Sequence, residues 1–149
     1  MIHDSLIQQK DAYKANQVQI QIKSSEAWIA LKEGRRQEAL SLMTTAADLE
    51  DGTEKHPVTP GEVKPARELL GDMLIELNEP VKALDAYEQD LGKHANRFNG
   101  LYGAATAAKQ SGDNKKASEY FRRLLEMTTA EKSNRPELQM VRSELKAGR

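Results

Sequence analysis

An all-α fold, built of antiparallel helix pairs, is what this sequence predicts, and three observations predict it. Apolar residues recur at offsets of three and four in one segment after another, the spacing of a single helical face. Turn residues separate the segments: Gly34, Asn78 and Gly112 each stand five residues before an alanine, Ala39, Ala83 and Ala117. Glycine and asparagine tolerate the left-handed conformation in which helices stop. Ala83 and Ala117 are 34 residues apart, the length of one repeating helix–turn–helix unit.

Residues 1–33 carry the least regular pattern. Val18, Ile20 and Ile22 alternate with glutamines as a strand would. A helix is nevertheless expected, because no second strand-like run exists to pair with and the filling of Ala, Gln, Lys and Glu forms helices well. Asp4 is the expected N-cap. One helix to Lys32, or two collinear pieces broken near Ser24-Ser25, both satisfy the pattern. Residues 36–50 form the partner helix on Ala39, Leu40, Met43, Ala46, Ala47 and Leu49. The spacing from Ala39 to Ala83 is 44 residues, ten more than the repeat. That excess falls in an insertion loop, 51–64, bounded by Pro65. Its prolines restrict φ, and Thr59-Pro60-Gly61-Glu62 suits a type II turn. An ordered loop is therefore expected, with His56 and Thr59 available to a ligand.

The central pair, about 62–92, has its turn at Asn78 and a helix start at Pro80, where the missing N–H costs nothing. Its apolar sets are Ala66, Leu70, Met73 and Leu77, then Ala83, Leu84, Tyr87 and Leu91. A third pair, about 97–129, turns at Gly112; small alanines on its first helix face the aromatics Tyr120 and Phe121 on its second. Gly100 and Gly103 read as sites of close helix packing. Ser133 or Asn134 caps a last helix, 135–147, opening at Pro136. Its Leu138, Val141 and Leu145 would cover the apolar edge of a finite stack.

Composition narrows the function. The 149 residues fit one domain, with 30% charged and 5% aromatic residues and a net charge of −1. Nothing in that balance calls for nucleic acid or an anionic membrane. Cysteine is absent, which rules out disulfides and thiolate chemistry. No apolar run approaches the ~18 residues of a membrane span and no signal-peptide core stands at the N-terminus, so the chain reads as soluble. The compartment is left open: cytoplasmic, or periplasmic as part of a longer exported chain.

The 34-residue period, the turn residues Gly34, Asn78 and Gly112, the small Gly71 and Ala105, and the large Met43, Tyr87 and Phe121 together resemble the tetratricopeptide repeat (TPR) family. The block 51–77, with Arg97-Phe98-Asn99-Gly100-Leu101-Tyr102-Gly103, is similar to the C-terminal repeats of large bacterial members. The resemblance implies a right-handed superhelix of helix pairs and suggests the end of a longer array. Departures are specific. The usual early tryptophan is replaced by Lys23, Arg67 and Leu101, the inter-repeat proline by Asp51, Ala95 and Thr129, and a small apolar residue by Asp90.

In such arrays the first helix of each pair lines a concave groove. The register then points Gln21, Trp28, Glu68, Asp72, Asn99, Tyr102 and Thr106 into it. Aromatic rings beside fixed carboxylates favour a peptide or helix carrying Lys or Arg. The competing reading puts Trp28 in the core and leaves the carboxylates solvated. The lysine and asparagine set that clamps a C-terminal carboxylate in some relatives is missing. His3, His56 and His94 are far apart, so no metal site is expected. No catalytic nucleophile motif or phosphate-binding loop is present, and neither catalysis nor a cofactor is expected. Lys115, Lys116, Arg122 and Arg123 alternate with Glu119 and Glu126 as a solvated face does. Two functions from different classes remain: a protein-interaction module that binds a peptide or helix in its groove, or a structural end-segment that caps or homo-oligomerises a longer array.

Overall fold

Seven helices, with no strand, make up the regular structure of residues 12–53, 64–128 and 135–147, the portions that a computed structural model describes. They are α1 (Ala12–Lys32), α2 (Arg36–Asp51), α3 (Ala66–Glu76), α4 (Pro80–Lys93), α5 (Phe98–Gln110), α6 (Asn114–Thr128) and α7 (Pro136–Ala147). The all-α expectation holds. Asp4, the loop residues His56 and Thr59, and the caps Ser133 and Asn134 lie outside the described residues, as does most of the insertion loop. The chain divides into two compact units, one reaching Met73 and one beginning at Leu74, so the boundary falls within α3.

The strand-like alternation in α1 does not govern its structure. Ile20, Ser24 and Ala27 are buried at helical spacing, while Val18 and Ile22 are half-buried. The helix runs unbroken through Ser24-Ser25 to Lys32 and packs against α2. Ala39, Met43, Ala46 and Ala47 of α2 are all fully buried.

Three turns share one hydrogen-bond pattern. Gly34 (φ +81°), Asn78 (φ +60°) and Gly112 (φ +86°) take the left-handed conformation. Each donates its amide to the carbonyl three residues back: Leu31, Ile75 and Lys109. The next amide reaches five residues back, Arg35 to Ala30, Glu79 to Leu74 and Asp113 to Ala108, at 2.9 Å each time. These paired bonds satisfy carbonyls that a helix end otherwise leaves bare. The alanine five residues after each turn then closes the first turn of the next helix, at 3.0 Å in all three. Ala39 and Ala83 have no exposure and Ala117 only 4%.

In the second unit α4 packs on α5, α5 on α6, and α6 on α7. The α4–α5 contact is close because α5 has no side chain where it crosses Tyr87. A Cβ on Gly103 would stand 2.4 Å from the Tyr87 ring, and one on Gly100 3.1 Å from a Leu91 methyl. Tyr87 faces Gly103 while Leu91 faces Gly100, so the two helices run antiparallel.

Next-but-one helices run parallel, and named side chains join them. Glu88 on α4 accepts from Lys116 Nζ and Tyr120 Oη of α6, both at 2.7 Å. Arg123 donates to the Ala95 carbonyl at 3.2 Å. Along the other layer, the Arg135 guanidinium lies 4.4 Å from the Phe98 ring centroid. Tyr102 Oη donates to Met140 Sδ at 3.7 Å, and Lys109 pairs with Glu144 at 2.6 Å. These three contacts tie α7 to α5, and Leu138 and Val141 of α7 are buried.

Candidate functional site

The predicted surface residues fall into two groups, one on each unit. In the first, α2 ends in Asp48, Glu50 and Asp51, carboxylates at the helix end whose carbonyls already carry negative potential. α3 supplies the compensation. Arg67 reaches Asp48 at 2.7 Å and Asp51 at 2.5 Å, and the Ala66 amide donates to Glu50 Oε2 at 2.6 Å. Burial would lower the Arg67 pKa, but the hydrogen bonds to Asp48 and Asp51 more than offset it, and the net shift is upward. Carboxylates from α2 therefore cap the N-terminus of α3 across 16 residues of chain.

This junction forms one wall of a half-open cleft of about 380 Å³. Gln17, Gln21 and Ser24 present a polar edge from α1, and Glu50, Lys64 and Leu69 face them. Lys64 is held by Asp72 at 2.5 Å. Of the predicted residues, Gln21 lies in the cleft and Asp72 adjoins it through Lys64. Trp28 sits half-buried two turns further along α1. Glu68 is fully buried, so a molecule arriving at this surface meets Asp72 and not Glu68.

On the second unit Asn99 is exposed, while Tyr102 and Thr106 are half-buried one turn apart on α5. The Thr106 hydroxyl donates to the Tyr102 carbonyl at 2.9 Å. The Phe98 and Tyr102 rings stack at 6.4 Å and 11°. Arg135 lies over the Phe98 ring and the Tyr102 hydroxyl meets Met140 Sδ, so these aromatics hold α7 to α5. Of the basic cluster, Lys116 is pushed up in pKa by its hydrogen bond to Glu88. Tyr120 is pushed up by burial first and by the same carboxylate second. Lys115 and Arg122 are exposed. A second cleft, about 470 Å³, opens between α6 and α7 over Ala117, Phe121 and Leu145.

The cleft residues Gln17, Ser24 and Lys64 were not singled out by sequence patterning. The available signal was three uncharged polar residues, Gln17, Gln21 and Ser24, at offsets of four and three on one helical face. Among the described residues, no group of three or more His, Cys, Asp or Glu could hold a metal ion, and no helix is long and apolar enough to cross a membrane. No protein-family model matches the chain, and no curated protein matches it significantly.

Proposed function

We propose that this chain is a non-catalytic protein-interaction module of the tetratricopeptide type, its helix pairs stacked as a right-handed superhelix with α7 as the terminal cap. It takes a peptide or helix along the first helices of its pairs. One observation carries the reading. Side chains that join next-but-one helices are 28 to 38 residues apart, from Glu88–Lys116 to Tyr102–Met140, which is how a 34-residue helix–turn–helix repeat packs on its neighbour. Solenoids of this kind present extended surfaces to partners. A Lys or Arg on the partner segment would compete with Lys64 for the half-buried Asp72 carboxylate.

The test is affinity capture on the immobilised full chain, followed by a binding isotherm with the purified partner. Asp72→Lys should abolish a reproducible interaction, and Arg122→Glu, an exposed position on α6, should leave it intact. Equal binding by both variants would overturn the groove assignment. A second reading, an end-segment that caps or self-associates, is favoured by the cleft over Ala117, Phe121 and Leu145. Sedimentation that shows a concentration-dependent dimer, dispersed by Leu145→Glu at unchanged helix content, would select it.

A further inference from the structure

We propose that the cleft on the first unit reads a primary carboxamide, the side chain of a glutamine or asparagine on the partner; the inference rests on the peptide-binding reading above. Ser24 points to it. Its residue is 8% exposed, and its hydroxyl takes no hydrogen bond among the described residues. A helical serine or threonine ordinarily bonds the carbonyl one turn back. Ser25 does so to Gln21 at 2.9 Å, Thr45 to Ser41 at 2.7 Å and Thr106 to Tyr102 at 2.9 Å. Ser24, on the cleft wall, departs from that habit. A buried hydroxyl left unmatched is destabilising, and natural structures retain few of them without a use.

The charged groups at the cleft already have partners. Lys64 is bonded to Asp72, and Glu50 accepts the Ala66 amide. What remains is uncharged: the carboxamides of Gln17 and Gln21, one turn apart, and the Ser24 hydroxyl one turn further along α1. Each of these groups both donates and accepts. An ammonium only donates and a carboxylate only accepts, so either would leave half of this edge unmatched and would lose its own hydration. A primary carboxamide offers both functions in one plane without charge. Ile20, 5% exposed, and Leu69 provide apolar surface for its methylene stem.

The experiment uses the isotopically labelled full chain and three probes: N-acetylglutamine methylamide, its glutamate counterpart and its norleucine counterpart. Saturable shifts of the Gln21, Ser24 and Leu69 amides are expected with the glutamine probe, and weaker ones with the other two. Ser24→Ala should weaken that binding about fivefold, the loss of one neutral hydrogen bond. The same variant should melt no lower than the parent, because it removes an unmatched hydroxyl. Equal response to the glutamate or norleucine probe, no saturable response to any probe, or a lowered Tm for Ser24→Ala would overturn the inference. A partner captured through Asp72 while the cleft stays unresponsive sinks the carboxamide site alone. A responsive cleft with no macromolecular partner sinks the interaction reading alone.

Discussion

Gly103 and Gly100 lie one turn apart on the same face of α5, yet substitution should treat them oppositely. At Gly103 an added methyl meets three atoms of the rigid Tyr87 ring at 2.4–2.9 Å. Overpacking of that kind costs ~1–3 kcal/mol, more than the ~1 kcal/mol that alanine gains over glycine in a helix. At Gly100 the first atom met is the end of a flexible leucine, at 3.1 Å. Gly103→Ala should therefore lower the denaturant midpoint, and Gly100→Ala should leave it unchanged or raise it. Tyr120 supports a second prediction. Its folded pKa is raised above the unfolded value near 10, so the neutral phenol is favoured in the folded state. Its contribution is complete below about pH 10 and is lost as the pH climbs through the folded value. By ultraviolet absorbance Tyr120 should titrate late, and Tyr120→Phe should remove that step and flatten the alkaline loss of stability.

Helix boundaries were legible because their causes are local. Gly34, Asn78, Gly112 and Pro80 act through their own backbone, and each ends or begins a helix where sequence places it. Asn78 is the one non-glycine residue with positive φ among the described residues. Asn78→Gly should stabilise by ~0.5–1 kcal/mol, by removing a side chain from the left-handed region. Gly34→Ala and Gly112→Ala, with nothing within 4 Å of the new methyl, should each cost ~1 kcal/mol for conformational reasons alone. Thermal melts of the three variants check the set. The Val18–Ile22 alternation was ambiguous because three apolar residues over five positions are too short a run to fix a period, and only Ile20, Ser24 and Ala27 taken together show the helical face.

Across the whole molecule, what sequence could not supply was partnership between distant residues. Arg67 stood out as a replaced tryptophan, but nothing nearby in sequence points to Asp48 and Asp51 as its acceptors. Nothing beside Tyr102 in sequence points to Met140, 38 residues on, as the acceptor of its hydroxyl. Glu68 carries a charge, and charge alone suggests solvent; its full burial is a tertiary fact. The three matching turns have a further consequence, which concerns how such a chain can grow. Residues 79–112 begin just after one turn and end with the next, so copying them in tandem splices like to like. Within the copy, Tyr87 keeps its glycine. Across the new junction Lys82 arrives where Lys116 stood and can pair with Glu88, whereas Ala86 replaces Tyr120 and forfeits that hydrogen bond. The lengthened protein should fold with two more helices and a steeper denaturant dependence, in proportion to the surface added. Its grammar permits an extra clause, whose junction lacks the phenol's hydrogen bond.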